Sequence, residues 1–278
     1  MKRVLSTHLL SNHRLTVAAL NRIMAAGIPA VELFCARQHL DYRDQSQVRE
    51  LAYWFQDSEL QVHAVHAPMF TDDVWGRSGP QSVISITQTA RAARIAAVEE
   101  IKRAIEIAEL IPFRYLIQHI GVAGEEYQDA KAEAAFSALE ELIVFARQRG
   151  VEILLENIPN AFSSARRLLQ FLDVTHLDLH FVFDVGHANM GEGVDAAFSL
   201  MRERIRSTHV HDNDGQSDGH LVPLVSPGGT VDWPRTMRSL ASRGDQYPLV
   251  LELKDTPEVK HPIETALESF EKLESLLA

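Results

Sequence analysis

Short apolar runs alternate with amphipathic stretches along the whole chain. Runs over 3–7, 29–34, 61–66, 114–119, 151–156, 179–184, 206–211 and 248–253 are rich in Val, Ile and Leu and bounded by turn residues, which predicts eight β-strands. Between them, apolar residues recur at helical spacing near 15–26, 46–57, 83–110, 128–149, 164–172, 194–204, 233–243 and 262–277. Strands that alternate with helices call for a parallel sheet, and eight of them close into a (β/α)8 TIM barrel. Gly27 and Gly150 stand where helical stretches end and strands begin, as residues tolerating positive φ do at helix C-termini. No Pro/Gly/Ser linker divides the chain, so residues 1–278 read as one α/β domain. The longest irregular stretch, 67–82, follows the third strand; a loop of that length is a lid or binding loop, with Trp75 and Arg77 facing a substrate, or a surface loop with a packed Trp.

One strand after another ends in a residue able to bind a metal: His66, His119, Glu156, Asp184, His211 and Glu252. Parallel strands place their C-terminal ends on one rim, so these groups can converge there. A carboxylate closing an apolar strand is costly to bury unless it is paired or coordinates a cation, which is the argument for Glu156 and Glu252. Glu152, at the opposite end of its strand, reads instead as half of a structural ion pair. Asp184 and His187, three apart, suit one ion or two neighbouring ones; alone they are equally an N-cap with a chance histidine. His209 and His211 share a strand face, with His211 nearer the rim and preferred as the ligand, and His209 packing deeper or supporting a ligand by a hydrogen bond. Asp218 and His220 either bind a further ion or belong to a solvated loop. Lys254 faces the site if the last strand continues, or is a solvated strand end. Arg94, near the start of the third helix, meets an anionic group of a substrate or lies on the surface.

The chain is acidic, with a formal charge of −11 at 278 residues, which opposes non-specific attraction to nucleic acid or anionic lipid. Its 46% apolar and 7% aromatic composition suits an aliphatic core. Cys35 is the single cysteine, so no intrachain disulfide forms and a cytoplasmic home fits. The run Val4-Leu5-Ser6-Thr7-His8 is too polar for a signal-peptide core, and no 18-residue apolar run is present, which predicts no membrane partner. Gly-x-Ser-x-Gly, Walker and Gly-x-Gly-x-x-Gly motifs are missing; Gly186 and the pair Gly228-Gly229 read as turn residues.

These residues resemble the xylose isomerase-like barrels, a superfamily of sugar isomerases and epimerases, inosose dehydratases and endonuclease IV-type apurinic-site nucleases. The resemblance runs nearly end to end and rests on His66-Ala67-Pro68, His119-Ile120-Gly121, Glu156-Asn157, Asp184-Val185-Gly186-His187, His209-Val210-His211-Asp212-Asn213-Asp214, Asp218-Gly219-His220, the 228–233 stretch and Leu251-Glu252-Leu253-Lys254. It implies a divalent ion (Mn, Zn, Co or Mg) held by Glu156, Asp184, His211 and Glu252. In the nuclease branch it implies three zinc ions, with His66, His119, His187, Asp218 and His220 joining the set. It further implies metal-dependent isomerase or epimerase activity in carbohydrate metabolism on a small sugar or cyclitol, proton transfer by Glu156 and Glu252, substrate contacts from His187, Arg94, Trp75 and Lys254, and self-association into homo-oligomers. The alternative it implies is a zinc phosphodiesterase acting on abasic DNA, which the acidic charge and the lack of a basic stretch disfavour. Two positions depart from the best-known ketose epimerases: Phe162 stands where several carry a second glutamate, and Pro227 begins the stretch where Gly-x-Gly is expected.

Overall fold

The computed structural model describes residues 1–243, 247–256 and 259–278. Its strands are β1 (Arg3–Ser6), β2 (Ala30–Phe34), β3 (Gln61–His66), β4 (Tyr115–Gln118), β5 (Glu152–Glu156), β6 (His180–Asp184), β7 (Ile205–His209) and β8 (Leu249–Leu251). All pair in parallel in the order β7-β6-β5-β4-β3-β2-β1-β8. A single bridge between Val210 and Leu251 closes the ring: the Val210 N–H donates to Val250 O at 2.8 Å and the Glu252 N–H to Val210 O at 3.3 Å. The result is a (β/α)8 barrel.

Helices α1 (Val17–Ala25), α2 (Gln45–Gln56), α3 (Arg91–Glu106), α4 (Asp129–Arg147), α5 (Ala165–Thr175), α6 (Val185–Met190), α7 (Val194–Met201), α8 (Trp233–Ala241) and α9 (Pro262–Ser275) complete the chain. Several start on the residue type that satisfies orphan helix donors: Thr16 accepts from the Ala19 N–H, Asp44 from Ser46 and Gln47, Ser164 from Arg167 and Asp232 from Arg235. Gly27 and Gly150 take φ of 76° and 71° after α1 and α4, which is the left-handed stop expected of them.

Several elements differ from the sequence pattern: α6 is an additional short helix before α7, β8 ends at Leu251 rather than at 253, and two further differences bear on the site. The helix expected over 83–110 begins only at Arg91, because 83–90 are drawn into a flap: Phe70 bridges Val83 antiparallel and the Ile84 N–H donates to Met69 O at 2.9 Å. The strand expected over 206–211 ends at His209, two residues early, since beyond it only Val210 finds a partner strand.

The apolar core has two compartments. The larger fills the space between barrel and helices, and small clusters plug the barrel itself: Ala64, Tyr115, Ile117, Leu154 and Val182 on one side, Val4, Ala30 and Val250 on the other. Above this plug, the next inward position on β2, β5, β6 and β7 is Glu32, Glu156, Asp184 and His209. Sequence parity therefore turns the barrel interior from aliphatic to ionisable within one layer.

Candidate active site

Four side chains from different strands meet on the barrel axis. His209 Nδ1 lies 3.0 Å from Glu156 Oε1, 3.4 Å from Glu252 Oε2 and 3.8 Å from Asp184 Oδ2. The opposite ring nitrogen, Nε2, is 3.1 Å from Glu32 Oε2. All five residues are buried. Asp184 and His209 are paired in register on β6 and β7, which places His209 between Glu156, Asp184 and Glu252. His211 points the same way but sits past the strand end, with Nε2 at 3.1 Å from Asp184 Oδ2.

Two further groups flank the four. His119 Nε2 and His66 Nε2 approach Glu156 Oε2 at 3.0 and 3.6 Å, so Glu156 is shared between neighbours through its two oxygens. On the other side, Asp218 lies 3.4 Å from His187 Nε2 and 3.3 Å from His220 Nε2, and His211 stacks on His220 with ring centroids 3.9 Å apart. Every residue singled out in the sequence as a metal donor thus lies in one contiguous patch, and each of these three groups, with a fourth made of His8, His220 and Glu252, has its donor atoms close enough to share an ion.

The backbone is shaped to let these rings approach. Asp184 is the N-cap the sequence allowed, its Oδ1 accepting from the His187 N–H at 2.6 Å, while Oδ2 faces His211. Asn157 clamps it, accepting from the Asp184 N–H at 2.8 Å and donating to the Asp184 carbonyl at 2.9 Å. Gly186 and Gly229 are close-approach residues rather than mere turns: a Cβ on Gly186 would fall 2.0 Å from His211 Cε1, and one on Gly229 2.2 Å from Asp212 Oδ2. Asp212 in turn accepts from Thr230 N, Val231 N and Trp233 Nε1, tying 228–233 beneath the site.

The electrostatics follow from crowding acids and imidazoles together out of water. Burial alone would raise the Glu156 carboxyl, but His209 and His119 outweigh it and hold it well below the usual carboxylate range. Burial opposes charge on His209, yet Glu156, Glu252 and Glu32 drive its pKa well above that of free imidazole. His220 is likewise pushed up to about 9, against burial, by Asp218 and Glu252. Among the described residues, no Lys or Arg forms an ion pair with Glu32, Glu156, Asp184 or Glu252; only imidazoles do.

A cleft of about 560 Å³ opens above this floor. Residues 67–84 form one side, with Met69, Phe70, Trp75 and Val83 lining it, so the long loop is a flap over the site and Trp75 faces inward. Lys254 reaches the rim. Arg77 does not line the cleft. Nor does Arg94: at the first turn of α3, its guanidinium turns back to donate to Gln88 O and Thr89 O at 3.1 and 3.4 Å. That placement agrees with the surface alternative for Arg94 rather than with the substrate contact. Phe162 is buried and packs on Tyr127, ring centroids 5.2 Å apart. Glu152 pairs with His180 at the barrel's opposite end, as its position on β5 suggested.

Two site residues escaped the sequence reading. Glu32 sits mid-strand in Ala30-Val31-Glu32-Leu33-Phe34, and a lone carboxylate at an inward position of an aliphatic strand is the signal that could have found it. His8 follows β1, lines the cleft, and lies 3.8 Å from Glu252 Oε1.

With this geometry described, the comparisons with known proteins can be placed. The model of the xylose isomerase-like TIM barrel family matches residues 20–276. The chain belongs to that family. An uncharacterised protein of Methanocaldococcus jannaschii is 28% identical over 216 residues, covering 73% of this chain and 68% of that protein. Among solved structures, a D-tagatose 3-epimerase-like protein superposes with a TM-score of 0.78 at 24% identity, covering 100% of this chain and 97% of the other. The IolI protein with a bound zinc atom does so at 0.77 and 16%, covering 99% and 98%.

Proposed function

We propose that the chain is an isomerase or epimerase of a small sugar or cyclitol, working with a divalent cation held by Glu156, Asp184, His209 and Glu252. The observation that carries this reading is the donor set of the floor: four buried carboxylates, counting Glu32, whose sole ion-pair partners among the described residues are imidazoles, themselves metal-binding groups. Such a set is costly to bury without a cation, and its mix of three carboxylates and one imidazole suits manganese, magnesium, cobalt or zinc. The likeness in fold to a tagatose 3-epimerase-like protein and to a zinc-bound IolI supports it.

When bound, the cation would polarise a carbonyl and its neighbouring hydroxyl and offset the negative charge that develops on oxygen. Glu156 and Glu252 approach His209 Nδ1 from separate strands and flank the space above it; one takes the proton from the substrate carbon and the other returns it. Glu32, 3.1 Å from His209 Nε2, fixes the ring so that Nδ1 faces Glu156 and Glu252, where a cation would take the place of its proton. His187 contacts a substrate oxygen, and Lys254 guards the rim.

One observation favours a second reading, a zinc phosphodiesterase: the flanking groups around His66 and His119 and around His187, Asp218 and His220 offer places for two more ions. Metal content per folded chain, with solvent-deuterium incorporation into ketoses and inososes, separates the two. One exchangeable ion with deuterium uptake supports the isomerase. Three tightly held zinc ions with cleavage of abasic duplex DNA overturn it.

A further inference from the structure

The two carboxylate oxygens of Glu252 face different groups. Oε2 lies 3.4 Å from His209 Nδ1 on the floor, whereas Oε1 lies 3.8 Å from His8 Nδ1. The second separation is too long for a hydrogen bond. It is within about half an ångström of the spacing between two ligand atoms on one tetrahedral zinc ion with bonds of about 2.0–2.1 Å. His8 is only 5% exposed, and its Nδ1 is buried with no hydrogen-bond partner, a desolvated nitrogen that a cation would satisfy. The ring is held in place: it stacks on Phe34 with centroids 4.5 Å apart and meets the Trp75 ring edge-on at 5.4 Å. Ser6 accepts from the His8 N–H, and Thr7 Oγ1 accepts from the Phe34 N–H at 2.9 Å, which fixes the turn that carries His8.

His220 completes the group. Its Nδ1 donates to the Glu252 carbonyl at 2.9 Å, the kind of contact that orients a ligating imidazole. Donor atoms of His8, His220 and Glu252 lie within 4.8 Å of one another, and all three residues line the cleft, so an ion among them would keep a position open to it. Two imidazoles and one carboxylate suit zinc better than magnesium or manganese, which favour oxygen. We infer that His8, Glu252 and His220 form a second zinc site beside the floor and, granting the isomerase reading, that filling it inhibits the enzyme. The shared carboxylate is the reason. With Oε2 given to the floor and Oε1 to the second ion, Glu252 keeps no oxygen to take or return a proton.

The test uses the intact chain, stripped by a chelator and reloaded with zinc. A second equivalent should bind and lower deuterium uptake into ketoses or inososes by about tenfold or more relative to the chain holding one. Diffraction at the zinc absorption edge should place a peak bonded to His8 Nδ1 and Glu252. His8→Phe fills much the same space without the nitrogen; it should hold one zinc fewer, and its uptake should differ by less than about twofold between one equivalent and excess. Should that variant not fold, the zinc-edge map of the unsubstituted chain decides alone. No peak at His8 under excess zinc, an undiminished zinc count in folded His8→Phe, or uptake undisturbed by a filled second site overturns the inference. A peak at His8 with no uptake at any zinc level keeps the site and removes the isomerase reading; uptake at one equivalent with no peak at His8 does the reverse.

Discussion

The two ends of the barrel use the same residue types to opposite effect. At the N-terminal end, Glu152 pairs with His180, whose other nitrogen meets an Arg206 guanidinium at 2.7 Å, and the group stays partly open to water. At the C-terminal end, Glu32, Glu156, Asp184 and Glu252 are buried together, and no guanidinium or ammonium reaches them among the described residues. A Glu–His contact is therefore uninformative by itself. What separates the two ends is the partner set: a guanidinium joins the far pair, while the buried carboxylates meet only imidazoles, which can also bind a metal.

The largest expected break in that contrast is Glu156→Gln. It removes the carboxylate shared by His66, His119 and His209, and should lower kcat/KM by about a thousandfold or more and abolish stoichiometric manganese or zinc binding, measured by kinetics and metal analysis. Retained metal and turnover would disqualify the floor as the active centre. Glu32→Gln touches only the support behind His209, so cation affinity should fall about 10- to 100-fold with the fold kept, read by competition with a chromogenic chelator.

Acid titration sharpens the same comparison through histidines outside the carboxylate group. Burial lowers His39 and His63 to about 4. Both are neutral in the fold and charge more readily when unfolded, so their contribution is complete above pH 6.5 and is lost as pH falls through 4. For the fully buried His39 the loss is on the order of 3 kcal/mol at the acid limit. His39→Gln should flatten that part of the urea-midpoint profile; an unchanged profile would count against the burial argument. Smallest of all, Glu152→Gln should cost no more than about 1 kcal/mol and leave metal content intact, because a part-exposed pair at the far end contributes little.

Much of this site could be read from the sequence because its donors end strands. His66, Glu156, Asp184 and Glu252 each close or follow an aliphatic run, and parallel topology gathers such ends automatically. The depth of the two histidines could not be read that way: the register of β7 against β6 sets His209 beside Asp184 among the carboxylates and leaves His211 past the strand end, also facing Asp184. Glu32 was hidden because an aliphatic strand was read for its apolar residues rather than for which of its positions face inward. The helix start at Arg91 was masked by Val83, Ile84 and Ile86, whose apolar spacing serves the flap and the core beneath it. Arg94, in the first turn of α3, is drawn back to the preceding carbonyls, which its sequence position alone does not reveal.

The seam between β7 and β8 runs directly through the cluster. His209 and His211 bracket Val210, and Glu252 follows Leu251, the two residues whose bridge shuts the ring. During synthesis, then, the first donors emerge long before the last, and none can be in its working position until the segment through Glu252 has left the ribosome and docked beside β1. An ion held by Glu156, Asp184, His209 and Glu252 would act as a clasp across the final joint, tying the last strand to the earlier ones.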